Sequence, residues 1–122
     1  MPSMFRLKRV YEPADAGDGT RVLVDRLWPR GIAKDKARID LWLKDIAPSN
    51  ALRKRFHAKP DAWGAFRAAY AAELKVDAAQ DAVKELRRIL RQGPVTLLYA
   101  ARDERRNNAV ALKALLARRT KR

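Results

Sequence analysis

The chain has 122 residues, 48% of them hydrophobic, which suits one domain spanning 1–122 and closing a single core. It carries 28 basic against 14 acidic side chains, a formal charge of +14, and so attracts polyanions whatever its fold. No cysteine and one histidine are present, which excludes disulfides and a thiolate nucleophile, disfavours zinc, and leaves no metal site expected.

The N-terminal Met-Pro-Ser-Met-Phe-Arg has no apolar signal region, and no apolar stretch approaches the ~20 residues of a membrane span. A cytoplasmic protein without a membrane partner is expected. Phe5 to Tyr11 alternates apolar and basic residues and reads as a first strand. Ala14 to Thr20 has turn chemistry and is too short for a normal crossover helix, which leaves the next pairing open. Arg21 to Leu27, with Val22-Leu23-Val24 at its centre, reads as a strand buried on both faces.

From Arg38 to Ala47, the spacing of Ile39, Trp42, Leu43 and Ile46 predicts a helix with Trp42 and Ile46 inward and Lys44 and Asp45 outward. Ser49 after Pro48 is an N-cap for a second helix, with Leu52 and Phe56 inward and His57 near its end. Asp61 opens a third, striped by Trp63, Phe66, Tyr70 and Leu74, and Asp77 or Asp81 a fourth, with Val83, Leu86 and Leu90, stopped by Gly93-Pro94. Val95 to Ala101 is a third strand, and Asn107 to Arg119 a fifth helix. Arg118, Arg119, Lys121 and Arg122 read as a solvated helix end. The expected fold is a small three-layer, Rossmann-like α/β domain, with a short, mostly parallel sheet flanked by about five helices.

In open parallel sheets, ligands bind beyond the carboxyl ends of the strands. Two polar clusters fall there. In the first, Arg26 and Arg30 bracket Trp28-Pro29, with Asp25 before and Lys34 after: guanidinium forks for a phosphate or carboxylate and an indole for stacking. The plainer reading makes Trp28 a core residue and Asp25 a salt-bridge partner of Arg26 or Arg102. The second cluster is Tyr99, Arg102 and Asp103, with Asn107 and Asn108 as helix caps or ligand donors. Asp25 and Asp103 are the candidate catalytic carboxylates, each a general base or a structural side chain. Arg26, Trp28, Arg30, Lys34, Tyr99, Arg102 and Asn107 are the candidate ligand-binding residues. Ser49 and His57 suit capping better than a triad, and no glycine-rich nucleotide fingerprint is present, so no cofactor is assigned.

Arg21 to Gly31, Ala47-Pro48-Ser49 with Leu52-Arg53 and Phe56-His57, Phe66 through Tyr70 to Glu73-Leu74, and Val95 to Tyr99 on to Asn107 resemble the YeaO-like family. These bacterial proteins carry a domain of unknown function, DUF488. The resemblance covers nearly the whole chain and brings no activity with it. A wider branch carries cysteines and a histidine in the last strand-loop-helix region, where this chain has Tyr99, Arg102, Asp103 and Asn107. The resemblance implies that the first two strands are parallel and joined by a shortened loop, and it argues against thiol or metal chemistry.

Three functions remain open. The first is binding of an anionic, phosphate-bearing or nucleotide-like small molecule at the strand ends. The second is a hydrolase or transferase acting on an anionic substrate through Asp25 or Asp103. The third is nucleic-acid binding through the basic surface, or transcription regulation, although a recognition helix needs a free face and these apolar stripes are committed to a sheet. The residues fix neither ligand nor oligomeric state.

Overall fold

The computed structural model describes residues 5–119. Strands β1 (Phe5–Arg9), β2 (Thr20–Leu23), β3 (Leu41–Trp42) and β4 (Val95–Tyr99) form one sheet in the order β1-β4-β2-β3, with every pairing parallel. Helices α1 (Asn50–Ala58), α2 (Trp63–Glu73) and α3 (Asp77–Gln92) precede β4, and α4 (Asn108–Arg119) follows it. The predicted α/β parallel sheet is present, with four α-helices among the described residues in place of five. Lys121, Arg122 and the side chains of Arg118 and Arg119, read above as a solvated end, lie outside the description.

β4 is buried along its whole length, as the central strand of a parallel sheet must be. On one face Val22, Val24, Val95, Leu97 and Tyr99 meet the helices through Tyr70, Leu86 and Leu112. On the other, Val10, Leu23 and Leu98 are covered by Trp28, Ile32 and Ile39. The third layer is therefore built of loops.

β1 and β2 run parallel with β4 between them, joined by residues 10–19 and a short 3-10 turn at Ala16–Asp18. The buried Asp18 carboxylate holds this crossing in place. Lys8 Nζ donates to it at 3.0 and 3.1 Å, the Arg21 guanidinium donates to Oδ2, and Arg6 stands 3.9 Å away. The Thr96 hydroxyl of β4 donates to the Asp18 carbonyl at 2.8 Å. Gly19 then turns at φ 64°, where an added Cβ would lie 2.1 Å from the Pro94 carbonyl oxygen, so no side chain fits.

The helix predicted for Arg38 to Ala47 does not form. The segment holds β3 and a 3-10 turn at Lys44–Ile46. Its backbone is drawn onto β2: Asp40 N–H donates to the Arg21 carbonyl and Leu43 N–H to the Leu23 carbonyl. The apolar spacing that resembles a helical stripe divides between two faces. Ile39 and Trp42 join the loop-covered cluster, while Leu41, Leu43 and Ile46 join the helix-side core. Arg38 enters the segment at φ 52°, outside the helical region.

Candidate functional site

At the carboxyl end of the sheet, β2 stops one pairing short of β4. Val24 N–H still reaches the Leu98 carbonyl at 3.1 Å, but the next donor, Ala100 N–H, is taken by the Asp25 carboxylate at 2.9 Å. The other Asp25 oxygen accepts from Asn108 Nδ2 at 3.0 Å, which also donates to the Val24 carbonyl. Asp25 thus clasps β2, β4 and the first turn of α4 together. Burial pushes its carboxyl above the usual range, against the Asn108 and Ala100 hydrogen bonds and the charge of Arg53, which pull it down.

Arg26 turns toward α1, donating from Nε to the Pro48 carbonyl and from Nη2 to the Ala47 carbonyl, each at 3.0 Å. Ser49 caps α1 by accepting from Leu52 N–H, and its hydroxyl and N–H both donate to Glu73. Tyr70, fully buried, donates its hydroxyl to the Ile46 carbonyl, and burial followed by the charges of Asp25 and Glu73 holds it protonated. Tyr70 thus feels the charges of Asp25, Glu73 and Arg26, and Asp25 that of Arg53. No residue type at the strand ends announces Arg53, Tyr70 or Glu73; a buried tyrosine in need of a hydroxyl partner is the available signal.

Trp28 lies on the loop-covered side, donating from Nε1 to the Ile32 carbonyl at 2.7 Å. Its ring meets Trp42 edge to face at 5.4 Å, and Lys34 and Lys44 stand over the two indoles at 6.0 and 4.3 Å. Trp42 is itself pinned by its Nε1–H to the Asp25 carbonyl. Arg30 is exposed, and its carbonyl accepts from the Tyr11 hydroxyl at 3.0 Å. Arg9 stacks over Tyr11 and donates to the Ala100 and Ala101 carbonyls. This chain of contacts runs from the exposed Arg30 to the Ala101 carbonyl, one residue before the exposed Arg102.

In the loop after β4, Asp103 Oδ1 accepts from Arg105 and Arg106 N–H at 2.9 and 3.1 Å, which holds its carboxyl below the usual range. Asn107 is the cap of α4: its Oδ1 accepts from Val110 N–H, and its Nδ2 donates to the Asp103 carbonyl. Tyr99 is buried beside it, and burial, then Glu104 and Glu12, raise its hydroxyl pKa. Asp25 and Asp103 share no partner. The structure gathers Tyr99, Arg102, Asp103 and Asn107 into one loop but sends Arg26 and Trp28 to opposite sides of the sheet. Among the described residues, no three His, Cys, Asp or Glu side chains are placed to hold a metal ion, and no helix is long and apolar enough to cross a membrane.

Residues 4–122 match a family model described as the inactive DUF488-N3 subclade. The chain is 47% identical over 108 residues to the uncharacterized protein YeaO of Escherichia coli strain K12, covering 88% of this chain and 92% of that protein. It is 44% identical over 111 residues to the uncharacterized protein Rv3073c of Mycobacterium tuberculosis strain H37Rv, covering 91% and 92%. No solved structure matches.

Proposed function

Because the chain belongs to the inactive DUF488-N3 subclade, we propose that its strand-end rim binds a small phosphate-bearing anion and does no chemistry on it. One observation carries this reading: both oxygens of the Asp25 carboxylate are engaged by a backbone and an amide donor, while Arg30 and Arg102 stand outside every ion pair among the described residues. Among the described residues, the ion pairs join Arg6, Lys8 and Arg21 to Asp18, and Arg88 to Glu85. Arg30 and Arg102 are in neither group, and both are exposed. A guanidinium without a carboxylate offers its paired N–H donors to a phosphate at no cost in broken ion pairs. Each Asp25 oxygen, by contrast, already accepts one hydrogen bond, and Asp103 Oδ1 accepts two.

Calorimetric titration with inorganic pyrophosphate at physiological salt tests the proposal. The double variant Arg30→Ala/Arg102→Ala, which removes two charge-assisted contacts, should bind at least about tenfold more weakly, with an unchanged melting temperature. Arg26→Ala should instead lower the melting temperature, since Arg26 holds the Ala47 and Pro48 carbonyls. Binding confined to oligonucleotides, and lost between about 50 and 200 mM salt, would assign the attraction to overall charge and overturn the proposal. So would pyrophosphate hydrolysis that disappears in Asp25→Asn.

A further inference from the structure

A cavity of about 450 Å³ lies on the loop-covered face, between residues 10–14 and 31–38. This volume falls within the range of small-molecule sites, roughly 300 to 1,000 Å³. Its walls are apolar at Val10, Ile32 and Ala37, with the Tyr11 ring at one side. Three cations line it, Arg21, Lys36 and Arg38, against one acid, Glu12, whose carboxylate already accepts from Arg9 N–H.

Arg21 gives the cavity a built donor. The residue is only 5% exposed; its Nε donates to the Arg38 carbonyl and its Nη1 to Asp18. Nη2 has no partner, and no side-chain nitrogen among the described residues is both buried and unbonded. Nη2 is therefore not sealed from solvent, and Arg21 is one of the residues that line the cavity. The wall segment is fixed at each end by a left-handed residue, Gly31 at φ 77° and Arg38 at φ 52°. Arg38 is the one non-glycine residue at positive φ among those described, and its carbonyl is what Arg21 Nε holds. A side chain in that conformation is strained unless its surroundings impose it.

We propose that this cavity is a binding site, separate from the strand-end rim, for a small organic anion with a flat apolar body the size of a mononucleotide. The body lies against Val10, Ile32 and Tyr11, and the anionic group meets Arg21 Nη2, Lys36 and Arg38. A bare inorganic anion leaves the apolar wall wet, and a neutral analogue leaves the cations unpaired; both bind weakly.

The indole Nε1–H of Trp28 reports on the site, because it donates to the carbonyl of the wall residue Ile32. Trp63, on α2 across the sheet, serves as the internal control. In an NMR titration of the intact chain with AMP at physiological salt, the Trp28 indole resonance should shift saturably while that of Trp63 stays still. Adenosine and inorganic phosphate should each need at least about ten times the concentration. Arg38→Gly removes the guanidinium but keeps the left-handed backbone and the carbonyl held by Arg21; it should weaken AMP by about tenfold, and Lys36→Ala should act in the same direction. Arg30→Ala/Arg102→Ala should leave the Trp28 response intact, so failure of the rim and failure of the cavity are distinguishable. A Trp28 resonance unmoved by AMP in the folded protein, or a full response in both Arg38→Gly and Lys36→Ala, would overturn the proposal.

Discussion

Asp25 illustrates how a residue that reads as chemistry in the sequence is employed by the fold. Its two oxygens close the gap left where β2 ends, bonding to Ala100 N–H and Asn108. Replacing it with alanine strands a half-buried backbone donor and one amide proton, and should cost about 2 kcal/mol in urea unfolding. Because burial raises its pKa, its contribution runs opposite to that of an ordinary paired carboxylate. Ionising it therefore costs the fold: the protonation-dependent part of its contribution is fully present below about pH 3.9 and is lost as pH rises through the higher folded value. Asp103 is held low by two backbone N–H groups and stands exposed, in the manner of a turn residue. Nothing in the identity of either aspartate separates these environments. Their partners, an amide of β4 and a side chain of α4 for one, and two adjacent N–H groups for the other, do.

At the scale of elements, the crossing from β1 to β2 depends on Asp18. Burial alone would raise its carboxyl, but hydrogen bonds from Lys8 and Arg21 outweigh that and hold it low. The stability it supplies is therefore present above about pH 3.9 and is lost as pH falls through the lower folded value. Asp18→Asn should cost about 3 kcal/mol at neutral pH, since it leaves Lys8 and Arg21 facing each other without a carboxylate. The deficit should shrink as both proteins are unfolded at progressively lower pH; a constant deficit would mean that the charge is not what matters. The sequence made β1, β4 and all four helices legible, because each carries an unbroken apolar period and, for α1 and α4, a capping side chain. β3 was not legible. Two residues are too few to show alternation, and the apolar groups around Leu41 and Trp42 serve both faces of the sheet. The strand-end residues were legible by type, but Arg26 is satisfied by main-chain carbonyls of Ala47 and Pro48 that no residue type announces.

Over the whole molecule, a net excess of 14 positive charges repels itself. Screening by neutral salt should therefore stabilise the fold. Raising sodium chloride from low concentration to about 0.5 M, where the Debye length is a few ångströms, should raise the melting temperature by several degrees. A fall would mean that the Asp18 cluster outweighs the general repulsion. The order β1-β4-β2-β3 carries a consequence in time. β4 is the last of the described strands in the chain, yet it is the strand on which β1 and β2 both pair, from Phe5 with Val95 to Leu23 with Leu98. Until Tyr99 has left the ribosome, β1 has nothing to join and the apolar sides of α1, α2 and α3 have no complete sheet to cover. The sheet cannot close before β4 is available, and it closes across residues 5–99, a long-range topology that slows folding and leaves the unpaired strands in need of shelter.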